Sequence, residues 1–133
     1  MIREIRRRFR SVCRRGAVLL ATLIAAGTLS AAVYAANYFS GIDDLPLPET
    51  LSERADESVV FETPEGRIVT VVARGRTTAD AVRDYYRSTL PALGWMPEAG
   101  DSFVRDGEML VFSYDIMAGE VTVRIRLLPT GRK

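Results

Sequence analysis

The chain has 133 residues, of which 18 are Lys or Arg, 17 are Asp or Glu and none is His, and Cys13 is its only cysteine. The lack of histidine excludes Ser-His-Asp and Cys-His catalysis and zinc sites with imidazole ligands, and a lone cysteine excludes an intramolecular disulfide. The net charge of +1 hides a division, because residues 1–16 carry seven arginines against Glu4 while the rest of the chain is acidic. That acidity argues against binding to nucleic acid.

The first 36 residues combine a basic arm with an uncharged segment. No charged residue occurs from Gly16 to Ile42. A helix over residues 17–36 is about 30 Å long, which matches the hydrocarbon core of a bilayer. Because positive flanks stay on the cytoplasmic side, the sequence predicts a cytoplasmic arm at 1–16 and a membrane-spanning signal-anchor at 17–36 in contact with lipid. Everything that follows is then exported.

The same segment also fits a cleaved signal peptide. Such peptides end in a pattern of small residues, and both Ser30-Ala31-Ala32 and Val33-Tyr34-Ala35 meet that requirement. The full spanning length and the aromatic residues between 34 and 39 favour a retained anchor in the cell (inner) membrane. Gly27, Ala31 and Ala35 have the spacing of closely packed membrane helices, a spacing that alanine-rich signal sequences also produce by chance.

Residues 37–57 are predicted to form a tether. The segment 43–49 combines three acidic residues with two prolines, and no sustained hydrophobic period follows it up to residue 57. Since proline fixes φ and extends the chain, we expect a semi-rigid spacer. In the alternative, Leu45, Leu47 and Leu51 dock onto the domain or onto a partner.

The predicted exported domain, residues 58–129, opens with a β-hairpin. Residues 58–63 and 67–73 are rich in β-branched side chains, which favour strands. Pro64-Glu65-Gly66 between them is a turn signal. We therefore predict two strands joined by a tight turn.

A helix is predicted over residues 78–90. Its apolar stripe recurs at spacings of three and four, at Val82, Tyr85, Tyr86 and Leu90. Thr77 with Asp80 resembles a capping box at the start of the helix. Gly94 suits the C-cap position, and Trp95 is expected to anchor the exit from the helix.

Three further strands, joined by Asp106-Gly107 and by Ala118-Gly119, complete the predicted domain. Asp106-Gly107 fits a type I′ turn, because both residues tolerate positive φ. In the last strand the apolar residues alternate with polar ones, at Val121, Val123, Ile125 and Leu127. This predicts an α+β fold of order ββαβββ, in which the helix packs on one face of an antiparallel sheet and the other face is wet. A short tail follows at 130–133.

The segment Asp84–Trp95, DYYRSTLPALGW, resembles a helix of small exported bacterial proteins and lipoproteins, which are mostly uncharacterised. In these proteins an aromatic pair, a Leu-Pro and a Gly-Trp follow a β-hairpin and precede further strands. The turn at Pro64–Arg67 fits the same pattern, so the resemblance covers most of the predicted domain. It implies a packing role for the tyrosines, the leucine and the tryptophan, and it carries over no catalytic residue.

The candidate partner-binding residues are four arginines and one tryptophan. They are Arg124, Arg126, Arg83, Arg87 and Trp95. Arginine and aromatic side chains together bind anionic glycans or lipid head groups where they are exposed. In the alternative, the arginines pair with acids such as Glu62 or Asp115 on a solvated surface, and Trp95 fills the core.

This inventory does not favour an enzyme and predicts neither a metal nor another cofactor. The leading hypothesis is a membrane-tethered accessory or interaction module on the exported (periplasmic) side, whose partner is another envelope protein. The alternative is a cleaved, soluble exported domain that binds a small ligand, a glycan or a lipid. A wide uncovered apolar face on the sheet favours this alternative, because such patches usually mark a binding site.

Overall fold

The structure, a computed structural model, describes residues 37–131. The basic arm and the predicted membrane span lie outside these residues, and within 37–131 no helix is long and apolar enough to cross a membrane. The helix and strands in chain order are β1 (Ser52–Glu53), β2 (Val59–Thr63), β3 (Gly66–Gly75), α1 (Ala79–Thr89), β4 (Met96–Glu98), β5 (Ser102–Arg105), β6 (Glu108–Met117) and β7 (Glu120–Pro129). Short 3₁₀ turns occupy Ala55–Glu57 and Leu90–Leu93.

The strands of residues 37–131 pair antiparallel in one sheet, in the order β1-β3-β7-β6-β5-β4. β2 shares an edge of β3 with β1, since the two pair with different ends of that strand. The predicted small antiparallel sheet with one helix is confirmed. The structure adds β1 and β4, which the sequence did not indicate because strands of two and three residues are too short to carry a period-2 pattern.

The hairpin turns of the second half have the predicted chemistry. Asp106 and Gly107 have φ of 49° and 82°, and Ala118 and Gly119 have φ of 52° and 77°. Positive φ at both central residues is the mark of a type I′ turn, whose twist matches that of the flanking strands. The Ala118-Gly119 turn fixes the long register in which β6 pairs with β7 from Glu108 to Met117, and the Asp106-Gly107 turn fixes the register of β5 with β6.

Helix α1 is capped one residue later than expected. The hydroxyl of Thr78, not Thr77, accepts a hydrogen bond from the backbone N–H of Ala81 at 3.1 Å, which satisfies one of the N–H groups left open at a helix start. At the other end Gly94 adopts φ of 86°, and the N–H of Trp95 returns to the carbonyl of Leu90 at 3.1 Å. The chain therefore leaves the helix in the predicted direction.

The core lies between α1 and one face of the sheet. From the helix side, Val82, Tyr86, Leu90 and Trp95 are buried. From the sheet, the alternating inward side chains are buried, at Val69, Val71, Ala73, Phe103, Leu110, Phe112, Val121, Val123, Ile125 and Leu127. The predicted apolar row of β7 and the helical stripe thus meet each other, which is the amphipathic arrangement that a one-layer sheet needs.

The prediction of a tether at residues 37–57 is wrong. Phe39, Ile42, Leu45 and Leu51 are buried in the same core as the helix. The phenol O–H of Tyr86 donates a hydrogen bond to the carbonyl oxygen of Pro46 at 3.0 Å. The prolines restrict φ but do not prevent neighbouring leucines from pointing inward, so the docking alternative is confirmed for Leu45 and Leu51.

A close approach at Gly75 explains how this N-terminal segment (residues 37–51) reaches the sheet. A Cβ at Gly75 would collide with the carbonyl oxygen of Thr50. Glycine therefore ends β3 because backbone passes against backbone there. The folded domain therefore includes residues 37–51 and does not begin at residue 58.

Candidate functional site

The open face of the sheet is the face opposite α1. Alternation along β7 directs Arg124 and Arg126 to this face, since the side chains between and beside them are buried in the core. Strand register sets Arg126 between Thr70 of β3 and Val111 of β6. The two arginines therefore occupy the middle of a broad surface that no element of residues 37–131 covers in the way that α1 covers the other face.

The two arginines differ in their partners. Arg124 Nη1 lies 3.7 Å from Asp115 Oδ2, an exposed pair of the kind that contributes little to stability. Arg126 is exposed and forms no ion pair with any residue in 37–131. Glu62, the other acid considered as a partner, lies opposite Arg67 in the hairpin. Within residues 37–131, the guanidinium of Arg126 therefore has no carboxylate partner for its planar set of N–H donors.

Apolar side chains flank the arginines toward both margins of the open face. On one margin β2 contributes Val59 and Phe61, which pair with Thr70 and Ile68 of β3. Toward the other margin the side chains are half-buried or exposed, at Leu128, Met109, Val104 and Met96. The open face is therefore apolar at its margins and carries the two arginines in the middle, where Val72 of β3 lies buried opposite Arg124.

Arg83 and Arg87 lie on a different surface, where α1 meets the turn between β4 and β5. Arg83 Nε donates to both carboxylate oxygens of Asp101, at 2.9 and 3.0 Å, and its guanidinium lies 4.8 Å from the ring centroid of Tyr114. Arg87 Nη2 is 3.7 Å from the same carboxylate. A cleft of about 180 Å³ opens beside them. The sequence-predicted arginines thus divide into two separate pairs.

The charges in this cleft compensate one another. The hydrogen bond to Asp101 raises the pKa of Arg83. Burial raises the pKa of Tyr114 to about 12, and the Asp101 carboxylate adds to the rise, while Arg83 and Arg87 oppose it. Tyr114 is therefore protonated near neutral pH, where it can donate a hydrogen bond but cannot act as a base. Among residues 37–131 no three acidic side chains converge to hold a metal ion.

Trp95 is not a surface residue. Its side chain is 2% exposed, and the guanidinium of Arg105 lies 4.4 Å from the ring. Tyr86 is also fully buried. The expectation that Trp95 presents itself to a partner is therefore wrong, because the ring fills the core where the chain leaves the helix.

Two exposed apolar features were not predicted. Val59, Val60 and Phe61 follow one another in β2, and Ile116 and Met117 lie at the tip of the β6–β7 hairpin, all exposed. A signal for the first was present in the sequence: successive side chains of a strand point to opposite faces. Three consecutive large apolar residues therefore cannot all enter a core that covers one face only.

Comparison with protein families, with curated proteins and with solved structures finds no match to this chain.

Proposed function

We propose that this chain is a membrane-anchored accessory module whose α+β domain lies on the exported side and binds another envelope protein. The observation that supports this most is the open face, where Arg126 has no ion-pair partner within residues 37–131 and lies between apolar margins. Arginine, methionine and aromatic residues are enriched at protein–protein interfaces relative to other surfaces. A broad surface of this composition suits a protein better than a small molecule, which prefers an enclosed site.

The anchor part of the proposal rests on the charge pattern of residues 1–36. Residues 37–51 belong to the folded domain, so the predicted tether is not available as a spacer behind a retained anchor. This favours a partner that is itself in or near the membrane.

Topology is tested with a reporter enzyme fused after Lys133. Because the basic arm favours the cytoplasmic side, a reporter that works only outside the cytoplasm should be active. Activity from a cytoplasm-only reporter contradicts the orientation.

N-terminal sequencing of the mature protein tests whether the anchor is retained. The sequence should begin at or near residue 1, and a start after residue 32 or 35 would make the protein a cleaved, soluble one.

Partner binding is tested by affinity purification of the tagged full chain from membranes, with quantification of the proteins that co-purify. We expect Arg126→Glu to deplete a specific envelope protein, because charge reversal places an acid where the partner's acceptor binds. Arg76→Glu is the matched control, since Arg76 is also exposed but lies beyond the end of β3. If both variants retain the same co-purifying proteins as the wild type, the open face is not the binding surface.

A second candidate, a soluble domain that binds a small ligand or lipid, is favoured by the apolar margin of the same face. A shallow depression of about 320 Å³ at the end of that margin is bordered by Met96 and Val104 of the open face and by Arg105 of the other face. Cleavage of the N-terminal segment together with unchanged co-purification in Arg126→Glu would favour this candidate over the first.

A further inference from the structure

The sheet of residues 37–131 has three outer strands, and they differ in how their edges are protected. β1 has two residues, and β4 has three, of which Pro97 is the middle one. Short length and proline are the usual ways in which proteins prevent an edge from pairing with another strand. β2 has five residues, Val-Val-Phe-Glu-Thr, with one charge and no proline. It is the outer strand that lacks these protections.

Both sides of β2 are uncovered. Val59, Val60 and Phe61 are 43%, 55% and 61% exposed. Since Val60 points to the helix-bearing face of the sheet and its two neighbours point to the open face, neither α1 nor the N-terminal segment extends over this strand. Within residues 37–131, β2 pairs with β3 alone, so its outer backbone groups remain available for a second strand.

We infer that β2 pairs antiparallel with β2 of a second copy of this chain, so that the two sheets join into one. Centred on Val60, this pairing sets Val60 opposite Val60, Val59 opposite Phe61 and Ser58 opposite Glu62. Cross-strand pairs of an aromatic with a β-branched residue stabilise a sheet. Glu62, the single charged residue of the strand, lies opposite Ser58 of the other copy and not opposite a second carboxylate, so the pairing brings no like charges together.

A second copy fits this edge better than an open-ended series of chains. Antiparallel pairing of identical strands about a two-fold axis uses the same edge of both chains. Each copy then has only the protected edges of β1 and β4 left, so association stops at two. The axis is perpendicular to the sheet, which directs both open faces to the same side and gives a bivalent surface. Strands of five residues make a small interface, so the dimer is a weak one whose population rises with concentration.

Disulfide trapping tests the register directly. In a Cys13→Ser background, Val60→Cys brings two thiols opposite each other, because paired Cα atoms of an antiparallel sheet are about 4.5–5.5 Å apart and disulfides need about 4.4–6.8 Å. Met117→Cys is the control, at a residue that is more exposed and lies at the hairpin tip. We expect the Val60→Cys dimer to form on the order of ten-fold faster, since pairing raises the effective concentration of the thiols.

A mixed experiment tests the alignment of the strands. Chains with Val59→Cys should cross-link to chains with Phe61→Cys, while neither should cross-link to itself at the same rate. If Val60→Cys cross-links no faster than Met117→Cys, the inference is overturned.

A second set of variants asks whether β2 holds the dimer together. The mass of the full chain, purified in mild detergent, is measured against concentration. Val60→Lys should leave a monomer, because two ammonium groups then face each other across the axis, and Met117→Lys should behave as the wild type. Val60 is exposed, so circular dichroism should show an unchanged fold.

Two results of this measurement overturn the pairing itself, and a third overturns its closure at two copies. One is a wild type that stays monomeric at every concentration. The other is a dimer that survives Val60→Lys, because it would then be held elsewhere, for example by the Gly27, Ala31 and Ala35 spacing of the predicted span. Growth into larger polymers that Val60→Lys abolishes would contradict the closed, two-copy arrangement.

Discussion

The two faces of the sheet are built from the same strands but have different environments. On the covered face, β7 presents Val121, Val123, Ile125 and Leu127, all buried beneath α1 and the N-terminal segment. On the open face the same strand presents Arg124 and Arg126. Alternation in one ten-residue strand thus separates the side chains that stabilise the fold from those that can meet a partner. Substitutions of the buried row on the first face should change stability, and substitutions of the two arginines on the second should leave it nearly unchanged.

The largest expected effect is at Trp95. Trp95→Ala should lower the free energy of unfolding by about 3–5 kcal/mol, because it removes a buried aromatic ring and leaves a cavity. Thermal unfolding of the two proteins measures the difference. Met96→Ala is the matched control, since the next residue along the chain is 68% exposed and should have little effect. An unchanged melting temperature in Trp95→Ala would mean that the ring does not pack in the core.

A substitution at Leu45 tests whether the N-terminal segment is docked onto the domain or is a tether. Leu45→Ala should cost about 2–5 kcal/mol, the usual range for a fully buried leucine, whereas truncation of a side chain in a spacer has almost no effect. Ile116→Ala, at an exposed apolar residue (69%), should stay within about 0.5 kcal/mol of the wild type. Denaturant titration of the two variants and of the wild type measures these differences in the free energy of unfolding. Equal midpoints for all three proteins would restore the tether interpretation.

The contrast between β7 and residues 37–51 explains what the sequence can and cannot predict. β7 alternates over ten residues, so its buried row, its partner strands and the packing of α1 follow from periodicity. The N-terminal segment buries Phe39, Ile42, Leu45 and Leu51 without a regular period. Such burial depends on contacts with α1 and the sheet, which lie far away in the sequence. No local pattern in the sequence signals it.

The candidate site was predictable to a similar extent. That Arg124 and Arg126 share a face with one another follows directly from their spacing. The hydrogen bond between Arg83 and Asp101 could not be predicted from spacing, because the two residues are brought together by the long-range packing of α1 against the β4–β5 turn. Trp95 belongs to a residue type that serves both cores and interfaces. Its role is decided by the three-dimensional packing alone.

Alkaline pH should weaken the covered face selectively. Burial raises the pKa of Tyr86, and the pKa of Tyr114 is raised to about 12, while tyrosines of the unfolded chain titrate near about 10. A folded-state pKa above the unfolded value means that the stabilisation is complete below about pH 10 and is lost as the pH rises toward the folded-state pKa. Denaturant midpoints at increasing pH should therefore fall from about pH 10 upward.

Tyr86→Phe tests the source of that loss. At neutral pH it should cost about 1 kcal/mol, because the carbonyl of Pro46 loses its hydrogen-bond donor. Above about pH 10 its stability should fall less steeply than that of the wild type, since one raised pKa has been removed. Tyr38→Phe is the control at an exposed tyrosine and should follow the wild-type profile. If the stabilities of Tyr86→Phe and of the wild type fell equally steeply with pH, the loss could not be assigned to the raised pKa of Tyr86.

The smallest expected effect is on the open face. Arg126→Ala should change the free energy of unfolding by less than about 1 kcal/mol, because the side chain is exposed and forms no ion pair within residues 37–131. Arg124→Ala should behave alike, since its pair with Asp115 is exposed and therefore contributes little. If either variant instead destabilised the domain by as much as Leu45→Ala, the arginine would be covering apolar surface of the sheet with its methylene groups. The open face would then contribute to the fold, and the separation between a stabilising face and a binding face would fail for that residue.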